Sequence, residues 1–129
     1  MDCIFCKIVN NEIPSYTIYE DDIIKVFMDA EPNTDGHALI IPKKHYTDLE
    51  DIDCDTLNYI LKKAKEIKKL YEDKLNIKGL TLVQNSGISE VVKHFHLHLI
   101  PNYDNFNLAE SIINKTKNKP EDIYKKIMD

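Results

Sequence analysis

The sequence predicts an α+β fold: a five-stranded antiparallel sheet, one long helix between strands three and four, and a short C-terminal helix. Three observations carry this. The run His94–Ile100 alternates histidine with apolar residues at the period of a strand. Between about Asp55 and Leu75, the residues Leu57, Ile60, Leu61, Ala64, Ile67 and Tyr71 recur at three- and four-residue steps, one apolar stripe of a helix. Short apolar runs elsewhere are separated by turn-forming residues. A chain of 129 residues is expected to form one domain, 1–129, with a C-terminal extension at about 102–129.

In chain order, Cys6 to Asn10 reads as one helical turn. Tyr16 to Glu20 and Ile23 to Asp29 read as a hairpin turning at Asp21-Asp22. Glu31 to Gly36 is a loop rich in turn formers, and His37 to Pro42 is an apolar third strand. Asp53 or Asp55 can cap the long helix, whose lysines form a solvated face. Leu80 to Asn85 is the fourth strand, and His94 to Ile100 is the fifth, ending at Pro101. Lys119-Pro120 opens the last helix, with proline in the first turn.

Hydrophobic residues make up 43% and charged residues 30%, an ordinary globular composition. The net charge is −5, and all 17 basic residues are lysine. Nucleic-acid binding is therefore disfavoured, and any phosphate site must use backbone N–H, His, Ser, Asn or Lys. Met1-Asp2-Cys3 does not open a signal peptide, and no apolar run reaches the roughly 20 residues of a membrane span. A cytoplasmic protein with no membrane partner is expected. Three cysteines in a reducing compartment point to metal or free thiols rather than disulfides.

Three of the five histidines lie in His94-Phe95-His96-Leu97-His98. On a strand their imidazoles leave one face while Phe95, Leu97 and Leu99 enter the other. Core packing does not call for that arrangement. Imidazole suits proton transfer, nucleophilic attack and metal ligation near neutral pH. Cys3-x-x-Cys6 sets two thiolates at metal-ligand spacing, and two further ligands must come from elsewhere.

His-x-His-x-His followed by two apolar residues resembles the histidine triad (HIT) superfamily. Cys3-Ile4-Phe5-Cys6-Lys7-Ile8 with Glu12-Ile13-Pro14 resembles its N-terminal signature. Phe27-Met28-Asp29 followed by Gly36-His37-Ala38-Leu39-Ile40-Ile41-Pro42-Lys43-Lys44-His45 resembles its central one. The matched segments run in order from Cys3 to Pro101, and the branch most resembled is that of the purine nucleoside phosphoramidases. The resemblance implies a HIT-like fold, and hydrolysis or nucleotidyl transfer at the α-phosphorus of a nucleoside phosphoramidate or related nucleotide. It implies His96 as nucleophile, forming a covalent nucleotidyl-histidine. His98 would contact the phosphate and assist proton transfer, and His37 would hydrogen-bond within the histidine cluster and help fix the tautomer of His96. Asp29 would accept from the ribose hydroxyls. Ile4, Phe5, Ile8, Phe27 and Leu39 would line the base pocket, with Asn85 near ribose or phosphate. Bacterial-type members imply one structural zinc on Cys3, Cys6, His45 and His94. A homodimer and a purine nucleotide ligand are also implied.

One stretch departs from the pattern. Ser86 to Lys93 is about two residues shorter than the usual loop, and Glu90 stands where Gln is common. A carboxylate beside a phosphate repels it by about 1–4 kcal/mol, so Glu90 either points away or alters substrate or rate. Ser86 or Ser89 is the candidate replacement donor. Two other readings stay open at this level. One is a non-catalytic nucleotide-binding module; the other is a metal-dependent hydrolase using the histidine strand.

Overall fold

The computed structural model describes residues 3–129, the side chains of 110 and 111 apart. Met1 and Asp2, part of the leader reading above, lie outside the described residues. The five strands are β1 (Thr17–Glu20), β2 (Ile24–Met28), β3 (Ala38–Pro42), β4 (Gly79–Val83) and β5 (Leu97–Asn102). They form one antiparallel sheet in the order β1-β2-β3-β5-β4. The helices are α1 (Ile4–Val9), α2 (Cys54–Lys74), α3 (Leu108–Ile113) and α4 (Pro120–Met128). The predicted α+β architecture, with the long helix between strands three and four, is the one observed. Among the described residues no helix is long and apolar enough to cross a membrane.

Strand alternation divides the apolar residues into two layers. Ile24, Val26 and Met28 of β2, Ala38 and Ile40 of β3, and Leu97 and Leu99 of β5 pack with Ile60, Ala64, Ile67 and Tyr71 of α2 and Ile123 and Ile127 of α4. Phe27, Leu39 and Ile41 leave the other face and meet Cys3, Phe5 and Ile8 around α1. The sheet thus separates a large helical core from a smaller layer that carries the site.

The structure moves several sequence-derived boundaries. Helix α1 starts two residues earlier, at Ile4, because the Cys3 Sγ accepts the Cys6 N–H at 3.4 Å and caps it. β5 starts at Leu97, not His94, and extends through Pro101. β3 pairs with β5 only from Ile40↔Leu97 onward, so 94–96 are held by other bonds, among them Phe95 N–H to the Tyr46 carbonyl at 2.6 Å. Period two still governs: Phe95 is 1% exposed in the helical core. Pro101 is tolerated because its backbone faces away from β4, where its carbonyl takes the Thr34 hydroxyl at 2.7 Å. On α2, Leu61 is exposed rather than buried. Lys63, expected on the solvated face, is buried with its ammonium 3.6 Å from the Tyr19 ring centre. Helix α3 was not expected from the sequence.

Two local devices position the strands that bear the site. Gly36 has φ +89, and a Cβ there would lie 2.7 Å from Leu75 Cδ1, so glycine is required immediately before His37. At the β1–β2 turn, Asp21 accepts from the Ile23 and Ile24 N–H groups at 2.8 and 2.9 Å. Its other oxygen accepts from the Tyr19 and Tyr59 hydroxyls at 2.8 and 2.5 Å. Burial disfavours the Asp21 carboxylate, but the hydrogen bonds from Tyr59, Ile24, Ile23 and Tyr19 outweigh it and bring the carboxyl down to about 2. Asp21→Ala strands four donors and should cost about 2–3 kcal/mol, read from the urea unfolding midpoint. A loss below a few tenths of a kcal/mol would refute this role for the turn.

Candidate active site and metal centre

A cleft of about 900 Å³ opens on the α1 side of the sheet. Its apolar end is made by Ile4, Phe5 and Ile8 of α1, Phe27 of β2 and Leu39 of β3, the five residues expected to meet a base. Asp29, His37, Asn85, His96 and His98 line it as well. Phe5 stands edge-on to His96 with ring centres 5.0 Å apart, and to Phe27 at 5.8 Å. The apolar end and the histidines are therefore one continuous surface.

Hydrogen bonds to groups of fixed polarity assign the imidazole protons. The His94 carbonyl can only accept, so the His96 Nδ1 that meets it at 2.8 Å carries the hydrogen, and Nε2 keeps its lone pair. The Asn33 N–H can only donate, so His37 Nδ1 at 3.0 Å is an acceptor, and the proton of neutral His37 sits on Nε2. That Nε2 lies 3.0 Å from His98 Nδ1, which must accept, leaving the His98 proton on its own Nε2. His96 and His98 face each other with ring centres 5.0 Å apart. One imidazole offers a lone pair and its neighbour a proton, complementary roles in displacement at phosphorus.

Of the two expectations for His37, the hydrogen bond within the histidine cluster is present, to His98, and the role in the His96 tautomer is corrected. His37 orients His98, while the tautomer of His96 is set by the His94 carbonyl two residues away. Burial lowers the basicity of His37, against the opposing charge of Asp29 3.5 Å away. Burial, with the neighbouring His37 and His96, brings His98 down to about 4. Asp29 also accepts the Glu31 N–H on Oδ1 at 2.8 Å.

Ser89 is not on the cleft. It lies exposed in the short 3₁₀ turn Gly87–Ser89, which carries its residues outward, so the chain meets the cleft again only at Val91 and Val92. The Ser86 hydroxyl is engaged elsewhere, accepting from Leu49 N–H and donating to Gln84 Oε1. Glu90 is 4% exposed but does not line the cleft, and Lys93 Nζ lies 3.8 Å from Oε1. Residues that sequence reading missed also form a wall: Tyr16, Lys115, Lys119 and Glu121. Lys115–Glu121 reach the cleft from the C-terminal segment, a placement no local sequence signal announces.

Next to this cleft, Cys3, Cys6, His45 and His94 bring four ligand atoms within 4.8 Å of one another. Cys3 Sγ and Cys6 Sγ lie 3.4 and 3.5 Å from His94 Nδ1, and Cys6 Sγ lies 3.3 Å from His45 Nδ1. Zinc with ordinary Zn–S and Zn–N bonds at a tetrahedral angle sets S and N about 3.6 Å apart, so the donor set fits. The proton count fits too. His94 Nε2 donates to the Pro42 carbonyl at 2.8 Å, which frees Nδ1 for the thiols. Burial brings His94 down to about 4, keeping it neutral. Burial and the adjacent Cys3 push the Cys6 thiol up to about 11, so paired thiolates here call for a cation. Asp29, His37 and His98 also cluster within 4.8 Å. There the Asn33 N–H occupies His37 Nδ1, which keeps the proton on the very nitrogen a metal would need.

Because His98 resists protonation when folded, the unfolded chain binds more protons between pH 6.5 and about 4. Stability should therefore fall on acidification through this window, by up to about 1.4 kcal/mol per pH unit from this residue. Urea unfolding at several pH values should give a shallower slope for His98→Asn than for wild type. Equal slopes would show that His98 titrates alike in both states.

Residues 10–105 match the HIT domain. The chain is 39% identical over 104 residues to an uncharacterised HIT-like protein of Methanocaldococcus jannaschii, covering 79% of this chain and 80% of that one. It is likewise 39% identical over 104 residues to the adenosine 5′-monophosphoramidase HNT1 of Saccharomyces cerevisiae, covering 79% and 63%. A Zn-bound histidine triad family protein from Mycobacterium smegmatis superposes with a TM-score of 0.86 at 28% identity, covering 99% of this chain and 94% of that one. With its domain, its fold and its histidine run all in agreement, this chain belongs to the HIT family.

Proposed function

We propose that this chain hydrolyses nucleoside 5′-phosphoramidates or closely related purine nucleotides through a covalent nucleotidyl-His96. The observation that carries this reading is the His94 carbonyl at 2.8 Å from His96 Nδ1, which puts the proton of the neutral ring on Nδ1 and its lone pair on Nε2 of a cleft-lining residue. HNT1, an adenosine 5′-monophosphoramidase by name, gives the reaction class its support.

The chemistry balances. His96 Nε2 forms a bond to the α-phosphorus as the phosphorus–nitrogen bond breaks. The His98 Nε2–H hydrogen-bonds the leaving nitrogen, and the proton that nitrogen needs to depart as a neutral amine comes from solvent, so His98 stays a neutral imidazole. Water then attacks the phosphorus, the phosphorus–His96 bond breaks, and the water's proton returns to solvent, releasing the nucleoside monophosphate and neutral His96. Asp29 accepts hydrogen bonds from the ribose hydroxyls with the lone pairs that Glu31 N–H leaves free. The base lies among Ile4, Phe5, Ile8, Phe27 and Leu39. Asn85 stands at the phosphate end, without help from Ser89.

The second part of the proposal is one structural zinc on Cys3, Cys6, His45 and His94. Four protein ligands close the coordination shell, so the ion would hold α1 against the β3–β5 end of the sheet and take no part in hydrolysis.

Turnover of adenosine 5′-phosphoramidate should fall at least about 10³-fold in His96→Ala, while AMP affinity stays within a few-fold of wild type. A wild-type chain that binds AMP without turnover would favour the binding-module reading instead. Elemental analysis should find one zinc per wild-type chain and none in a Cys3→Ser, Cys6→Ser double variant. The double variant should melt at least about 5 °C lower. Unchanged zinc content would remove the site.

A further inference from the structure

The cleft holds acidic groups and imidazoles, and its cations come from one place. Asp29, Glu31 and Glu121 line it together with His37, His96 and His98. The chain has no arginine, and of its 17 basic residues the cleft wall takes in Lys115 and Lys119. A phosphate entering such a wall is repelled unless a cation offsets the carboxylates.

Lys115 is held in place by a strap. Asn33 Nδ2 donates to the carbonyls of Ile112 and Asn114 at 2.8 and 3.0 Å. Thr116 N–H donates to the Pro32 carbonyl at 3.1 Å. The Thr116 hydroxyl and Asn118 Nδ2 donate to the two oxygens of Asp35 at 2.6 and 2.7 Å. These bonds lay residues 112–118 across the loop that leads from Asp29 into His37. Lys115 Nζ donates to the Glu31 carbonyl at 3.0 Å, and the Glu31 N–H in turn binds Asp29. The ammonium therefore sits on the loop that Asp29 braces, and two of its three hydrogens remain for a ligand. Among the described residues no carboxylate lies within ion-pair distance of it. Its field reaches the histidines as the smallest of several causes: burial is the main one that lowers His37 and His98, Asp29 opposes it, and the Lys115 charge adds to the lowering.

Resting on the nucleotide reading above, we propose that Lys115 is the cation of the nucleotide site. Its charge offsets the cleft carboxylates and draws in the phosphate of a 5′-nucleotide, and so selects phosphorylated nucleosides over unphosphorylated ones. The C-terminal segment is then a specificity wall, carrying the one kind of charge that the HIT sheet and α1 do not bring to the cleft.

The test compares AMP and adenosine binding to wild type, Lys115→Gln and Lys115→Arg. Calorimetry serves for AMP and displacement of AMP for adenosine, each at low and high NaCl, with melting curves to check folding. Lys115→Gln should weaken AMP about tenfold, leave adenosine within about twofold and flatten the salt dependence of AMP binding. Lys115→Arg should keep most of the AMP affinity. Equal losses for AMP and adenosine would reduce Lys115 to a structural strap residue and overturn the proposal. So would an unchanged AMP affinity or an unchanged salt dependence in Lys115→Gln. Failure of wild type to bind AMP at all would instead overturn the nucleotide reading itself.

Discussion

His94 is the residue on which both centres depend. Its ring donates from Nε2 to the Pro42 carbonyl, so Nδ1 is left facing Cys3 and Cys6. Its own carbonyl takes the His96 Nδ1 proton, so the lone pair of neutral His96 is left on Nε2. The residue is fully buried, and a buried imidazole without partners carries a desolvation cost of a few kcal/mol. Here every polar group of the ring has an assigned place. Residues 94–96 can do this because they lie just outside the β5 ladder, where backbone carbonyls are free to meet side chains.

Helix α1 couples the same two centres from the other side. Cys3 and Cys6 belong to the cysteine–histidine cluster, while Ile4, Phe5 and Ile8 face the cleft. A helix of six residues has little stability of its own. It is fastened at its C-terminal end by the buried Lys25, whose ammonium donates to the Ile8 carbonyl at 3.0 Å and lies 3.4 Å from Asn11 Oδ1. Burying an ammonium is tolerable only with such partners. The apolar wall of the cleft is thus set by a lysine on one side and by the cysteine–histidine cluster on the other.

The outer wall obeys a different logic. It comes from a segment more than 80 residues distant from Asp29 and Glu31 in sequence, and it is bound by hydrogen bonds rather than apolar packing. Beyond it, α4 returns to the main core through Ile123 and Ile127 and ties to β1 by the Tyr124 hydroxyl on the Thr17 carbonyl at 2.7 Å. The segment between is therefore spanned at both ends. A wall of this kind can change its residues without disturbing the sheet, which suits it to setting preference among substrates.

Much of this was legible in the chain itself, because periodicity is a local property. The alternation around His94–Ile100 and the stripe along α2 determined the sheet, its helix and the face to which each histidine points, since side-chain direction follows from backbone period. The ordered motifs likewise brought His37, His96 and His98 into one cleft, and Cys3, Cys6, His45 and His94 into another group. What sequence could not determine were matters of distance between remote segments. Which carbonyl faces which ring nitrogen decides the tautomers, and it reassigned His37 from His96 to His98. The outward 3₁₀ turn removed Ser89 from the cleft and let Glu90 be buried away from it. The strap placed Lys115 on the Glu31 carbonyl at the cleft wall, although nothing in its neighbouring residues distinguishes it from the lysines that face solvent. Those choices belong to the tertiary structure because a hydrogen bond depends on where its partner lies in space, and no spacing along the chain records that.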